Sequence, residues 1–267
     1  MGDQVGDVVE IVMSYETSQE GSDGSSSSSQ GTDVLSERVI AVTDDGIELE
    51  FDLPPATTAE ERTRVWQYPA RVLRGVDGEK QLLNPEELEV RLDAWLALTE
   101  WDRNVCGQWI FTWNAFLIEC DPQSVLETID AIDMRGVDLR DGAQYRHPGA
   151  SETGAFTRSV APDGETVFVV ELGADIESVR KSRAESDVVI GEISGQPVTL
   201  EEALIERSRE DVSGTVEVSF QGDAQGVPTR RVVVTNLKTI SPDGVVTTER
   251  ETRVLERRRV AGAPMVQ

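Results

Sequence analysis

The scarcest reactive side chains in this sequence are one histidine, His147, and two cysteines, Cys106 and Cys120. A zinc site built on two histidines is therefore excluded, as is any pair of catalytic imidazoles. A Ser-His-Asp or Cys-His arrangement must run through His147, which lies in "QYRHPGA", a stretch that reads as a solvated loop. Cys120 precedes Asp121-Pro122, a helix-start signal that favours a thiolate, but Glu119 and Asp121 flank it and disfavour that charge. No C-x-x-C, G-x-S-x-G, G-x-G-x-x-G, Walker or H-E-x-x-H motif occurs. No catalytic residue is assigned, and the expectation is a protein that is not an enzyme. The alternative is an enzyme of unlisted type using Cys120 or His147 with nearby carboxylates.

Oxygen-ligated metal sites are weighed on "DAIDMRGVDLRDG", which carries Asp130, Asp133, Asp138 and Asp141. The alternate-position acids, central glycine and closing glutamate of a calcium loop are missing, so these read as solvated acids. No cofactor and no metal is implied.

Both cysteines lie in "CGQWIFTWNAFLIEC", residues 106 to 120, together with Trp109, Phe111, Trp113 and Phe116. As a hairpin centred on Trp113, the segment opposes Cys106 to Cys120 within disulfide reach. With Asn114-Ala115 as a two-residue turn, Trp113 instead faces Phe116 and Cys120 faces Trp109. As a helix it would hold the cysteines about 21 Å apart. The run of Trp, Ile, Phe and Thr favours strand. The expectation is the aromatic pairing, with both cysteines as buried thiols. Five tryptophans, at 66, 95, 101, 109 and 113, make an apolar cavity the one binding site worth naming, with Trp95, Trp109, Phe111, Trp113 and Phe116 as candidate ligand-binding residues.

The elements that must position these residues are legible in outline. "VEIVMSY" and "GIELEFDL" alternate apolar and polar residues as half-buried strands, with Asp45-Gly46 as the turn before the second. "GTVEVSF", "TRRVVVTNLKTI" and "VVTTERETRVLERRR" form a second three-strand meander, its last strand polar enough to suit an edge. "TVFVVEL" adds a strand. Between the meanders, Asn84-Pro85, Asp121-Pro122 and the Thr199/Glu202 capping box start helices, and "ADIESVRKSRAES" adds another with a Glu177 to Lys181 pair. The fold class is α+β: an antiparallel sheet from N-terminal and C-terminal three-strand meanders, with the central helices on one face. We expect a single domain over residues 1–267 with a flexible Ser/Gly-rich loop at 21–33. Two domains divided near 143–160 are the alternative. The general layout resembles half-barrel carriers of apolar ligands, a likeness of plan without shared motifs.

Fifty acids against 25 bases give a net charge of −25. Residues 221–267 hold eight bases and five acids, so residues 1–220 carry −28. Such a field disfavours nucleic acid and anionic membranes as partners, since binding either depends on a basic footprint, and no nucleic acid and no membrane insertion are expected. No apolar run approaches the roughly 20 residues of a membrane span. The expected partner is a protein or an apolar small molecule, with an acidic surface for a basic partner as a further alternative. The acidic start "MGDQVGDVVEIVMSYE" has no apolar leader region, which reads as cytoplasmic, or as exported or periplasmic if a leader has been removed.

Overall fold

The computed structural model describes residues 3–111, 115–160, 165–223 and 225–260. In chain order its strands and helices are β1 (Val8–Gly21), β2 (Ser26–Val42), β3 (Gly46–Asp52), α1 (Ala59–Arg62), β4 (Ala70–Gly75), β5 (Lys80–Leu82), α2 (Pro85–Leu98), β6 (Trp109–Phe111) and β7 (Ala115–Leu117). There follow α3 (Val125–Ile132), β8 (Gln144–Arg146), β9 (Thr153–Ala155), β10 (Thr157–Val160), β11 (Thr166–Gly173), α4 (Ile176–Ser194), α5 (Leu200–Arg207), β12 (Asp211–Gly222), β13 (Pro228–Ile240) and β14 (Val246–Arg259). Ten strands form one mostly antiparallel sheet in the order β10-β11-β12-β13-β14-β1-β2-β3-β4-β5, and β6–β7 and β8–β9 are separate pairs. This is a sheet-rich α+β protein. No helix among the described residues is long and apolar enough to cross a membrane.

The chain divides into two compact units. The first takes residues up to Val12, Asp33–Gly136 and the chain from Glu256 onward; the second takes Met13–Thr32 and Val137–Leu255. Strands β1, β2 and β14 divide their residues between the two.

In the first unit, strand alternation builds the core. Val39 lies opposite Leu49, Leu49 opposite Val72 and Val72 opposite Leu82, so one row of apolar side chains crosses four strands, and all four are buried. The turn before β3 needs Gly46, whose φ is 153° and where an added Cβ would lie 2.2 Å from the Arg74 carbonyl oxygen. Helix α2 buries Leu88, Leu92 and Leu96, one side chain per turn, and α3 buries Val125, Ile129 and Ile132. Asn84 holds the N-cap position of α2 without capping it. Its side chain accepts from the Arg71 amide at 2.8 Å and donates to the Pro69 carbonyl at 3.2 Å, tying the helix start to β4.

The same alternation puts an acid in the core. Leu35, Glu37 and Val39 share one face of β2, and all three are buried, Glu37 to 1% exposure. A carboxylate so placed needs partners, and two arginines supply them. The Arg135 Nη1 donates at 2.9 Å and Nη2 at 2.5 Å; the Arg257 Nη1 and Nη2 donate at 3.0 and 2.6 Å. Burial alone would raise the Glu37 pKa, but the Arg135 hydrogen bond and both guanidinium charges hold it below the ordinary value. Nearby, Asp133 receives Lys80 and Arg74, both at 3.1 Å.

In the second unit, Val170 lies opposite Val218 and Val218 opposite Val233 across β11, β12 and β13. Tyr145, Phe156, Phe168 and Phe220 cluster with ring centroids 5.1 to 6.4 Å apart. Strand β9 approaches β11 so closely that a Cβ on Gly154 would lie 2.6 Å from the Leu172 and Val170 side chains. Helix α5 carries the full Thr199/Glu202 capping box. Helix α4 starts at the Asp175 cap, and Glu177 pairs with Arg180 at 3.0 Å, while Lys181 lies 3.8 Å from Glu185, so the pairing expected between Glu177 and Lys181 is replaced by two others.

Two further expectations are corrected. The serine run read as a flexible loop is strand from Ser26 onward, where Thr17 and Ser29 hydroxyls meet at 3.0 Å and Ser27 donates to Gln19 at 3.4 Å. Polar side chains need bury nothing when the backbone ladder is shared with a neighbour. The polar strand β14, expected at an edge, runs between β13 and β1. Two of its charges are matched from other elements, Arg257 by Glu37 in the first unit and Glu249 by Arg183 in the second.

Candidate functional site

Helix α2 presents two faces. One is the buried leucine stripe; beside it, Arg91, Trp95 and Leu98 recur at i, i+4 and i+7 and form one wall of a cleft in the first unit. The opposite wall is the chain leading into β4, with Trp66, Tyr68 and Pro69. Trp66 is 3% exposed and the Tyr68–Pro69 peptide is cis. The cavity measures about 420 Å³, within the usual range of small-molecule sites. Trp95 also meets Trp101 edge-on, with ring centroids 5.6 Å apart, which fixes its indole against rotation.

Two arginines line the cleft, and their situations differ. Arg62 is neutralised: its Nη1 donates to Asp52 at 2.7 Å and its Nη2 to the carbonyls of Leu53 and Pro54 at 3.1 Å each. Arg91 is held by backbone alone, its Nε donating to the Trp66 carbonyl at 3.3 Å and its Nη2 to the Pro69 carbonyl. No carboxylate among the described residues forms an ion pair with it. Burial lowers its pKa, partly opposed by the charges of Glu87 and Asp52. Burial, with the Asp33 charge, pushes the Tyr68 phenol up to about 12, so it stays neutral. None of the residues lining the cleft is a carboxylate, histidine or cysteine. It can hold an apolar group and meet a negative charge; it offers no general base and no nucleophile of lowered pKa.

Of the aromatic residues singled out from the sequence, Trp95 lines this cleft. Trp109 starts β6 and is 42% exposed, outside the lining. Phe111 and Phe116 are placed by backbone in β6 and β7, with Phe116 opposite Ile110. Trp113 lies outside the described residues. Sequence reasoning did not select Trp66, Tyr68, Arg91 or Leu98. The pattern at 91, 95 and 98 on a helix whose leucine stripe lies elsewhere was the available signal.

The cysteine expectation is overturned. Trp109 pairs with Leu117 and Phe111 with Ala115, a register centred on Trp113, and Cys106 and Cys120 are joined as a disulfide with Cα atoms 5.5 Å apart. They are neither buried thiols nor available as a thiolate nucleophile. The two registers differ by three residues, so Cys120 can face Cys106 or Trp109 but not both; aromatic pairing and cross-link were mutually exclusive, and the covalent bond decides. His147 is half-buried rather than solvated; burial, then the charges of Arg231 and Arg253, lowers its pKa, and its Nδ1 accepts from the Gly149 amide at 3.1 Å. Asp130 and Asp133 pair with Lys80 and Asp138 with Arg140, while Asp141 accepts from the Arg158 amide at 2.9 Å. Among the described residues no group of three or more His, Cys, Asp or Glu is arranged to hold a metal ion.

A second cleft, of about 730 Å³ in the second unit, is walled by Ser213, Thr215, Asn236, Lys238, Glu249 and Arg250. It is a polar furrow along strands, without the aromatic walls of the first.

No family model matches the sequence. No curated protein matches it either. Among solved structures, lipovitellin is similar at 8% identity and a TM-score of 0.41, over 98% of this chain and 26% of that one. An uncharacterized protein from Rhizobium leguminosarum is similar at 9% identity and a TM-score of 0.20, over 50% of this chain and 62% of that one. The chain thus spans about a quarter of the length of the lipovitellin chain.

Proposed function

We propose that this is a non-catalytic binding protein that takes an apolar ligand into the cleft between α2 and the Trp66–Pro69 segment. The observation that carries the reading is the cleft itself: about 420 Å³, walled by Trp66, Trp95, Pro69 and Leu98, with no carboxylate, histidine or cysteine in its lining. Trp95 is the residue of the sequence-derived set on which the site rests. We further propose that the central helices cover one face of the sheet, the arrangement in which such a cleft closes. The Cys106–Cys120 disulfide supports an exported protein over a cytoplasmic one, because such bonds persist in oxidising compartments. The charge of −25 speaks against nucleic-acid partners.

The test is displacement of Nile red, a neutral apolar dye, from purified protein, together with native mass spectrometry of protein from its own host. Saturable dye binding that Trp95→Ala weakens about tenfold or more is the expected result. Absence of saturable binding, or binding indifferent to Trp95→Ala, would refute the reading.

A further inference from the structure

The two cleft arginines differ in one respect that bears on the ligand. A guanidinium has five N–H donors. Arg91 uses two of them, on the Trp66 and Pro69 carbonyls, leaving three without a protein acceptor among the described residues. Its neighbour Arg62 is occupied by Asp52 and two carbonyls. A half-buried guanidinium with three unused donors beside tryptophan and leucine side chains, only partly offset by the charges of Glu87 and Asp52, is stabilised further when an acceptor of opposite charge joins it.

Resting on the reading of the cleft as an apolar-ligand site, we infer that Arg91 anchors the head of an acyl-chain carboxylate, a free long-chain fatty acid whose chain lies along Trp66, Trp95 and Leu98. A planar guanidinium with adjacent free N–H groups fits the two oxygens of a carboxylate. One free guanidinium matches one negative charge. A phosphate monoester head, carrying nearly two at neutral pH, would need a second cation, and Arg62 is already neutralised. A peptide C-terminus is disfavoured because its backbone N–H and C=O groups would lie against aromatic and aliphatic walls that cannot pair them. Because Arg91 is fastened to backbone carbonyls, it is positioned before any ligand arrives.

The experiment compares dodecanoate with 1-dodecanol, two ligands of equal chain length, by Nile red displacement on the full chain at pH 8. Wild-type protein should bind the acid at least tenfold tighter than the alcohol, the scale of a charge-assisted hydrogen-bonded pair. In Arg91→Gln the acid-to-alcohol ratio should fall toward one; in Arg91→Lys, which keeps the charge without the fork, it should lie between. A wild-type ratio near one, or a ratio that survives in Arg91→Gln, overturns the inference while leaving the apolar cleft intact. Should neither ligand displace the dye in wild-type protein, the cleft reading falls and this inference with it. If Arg91→Gln fails to fold, the wild-type ratio and the lysine variant still decide.

Discussion

Glu37 in the first unit and Glu210 in the second are both acids set among arginines, and they are satisfied to different degrees. Glu37, 1% exposed, takes two donors from each of Arg135 and Arg257, one pair to each oxygen. Glu210 takes a hydrogen bond from Arg207 at 2.6 Å on Oε1, while Oε2 lies 3.5 Å from Arg183 and has no hydrogen-bond partner. The difference follows from position. Glu37 stands on the apolar face of a strand, where an unmet lone pair cannot be solvated. Glu210 precedes β12 with its side chain 12% exposed, and its Oε2, itself buried, is met by the Arg183 charge at 3.5 Å instead of by a hydrogen bond. A charge inside a sheet core must be matched completely; one at the end of a helix connection tolerates a looser arrangement.

The sharpest way to break this comparison is Glu37→Gln, which keeps the shape and strands two guanidiniums. It should cost about 3–5 kcal/mol, read as a lowered urea midpoint. A loss below about 1 kcal/mol would mean that the network is not integral to the first unit. Next is the covalent tie of the same unit. Replacing both Cys106 and Cys120 by serine opens a loop of sequence separation 14 and should cost roughly 3 kcal/mol by loop entropy. Hydrogen exchange should rise around residues 105–120 and not around Tyr145, Phe156 and Phe220.

A pH scan reads the Glu37 node without mutation. Its folded pKa lies below the ordinary 4.5, so its contribution is complete above that value and is lost as pH falls through the lower, folded pKa. Asp133 behaves alike relative to 3.8. The wild-type urea midpoint should therefore drop below pH 4.5, and the gap between wild type and Glu37→Gln should narrow there, since a protonated glutamate resembles glutamine. Parallel curves would count against the assignment. The smallest effect belongs to Glu210→Gln, about 1–2 kcal/mol, because only one of its oxygens loses a hydrogen bond. A cost equal to that of Glu37→Gln would erase the distinction between the two nodes.

Local grammar was readable without coordinates. Pro85 and Thr199/Glu202 mark helix starts, and Asp121-Pro122 starts the 3-10 turn 122–124 that leads into α3, because unpaired amide groups at a first turn select those residue types whatever the surroundings. Alternation in "GIELEFDL" placed Leu49 and Phe51 inside for an equally local reason. The strand status of the serine run was invisible to composition, since it is set by the ladder it shares with β1. The interior position of β14 was hidden too, because a strand whose charges are neutralised looks the same in sequence as one whose charges are solvated.

Residue order alone therefore settled the α+β class, the helix starts, the acidic field and the absence of two-histidine metal chemistry, all consequences of composition or of neighbours within a few positions. Tertiary structure decided the rest. It chose which of two hairpin registers joined the cysteines, which arginines met Glu37 from 98 and 220 residues away, and that Arg91 would face a cleft with no carboxylate paired to it. Those outcomes turn on pairings between distant segments, and a carboxylate or guanidinium carries no mark in the sequence of the partner that folding will bring to it.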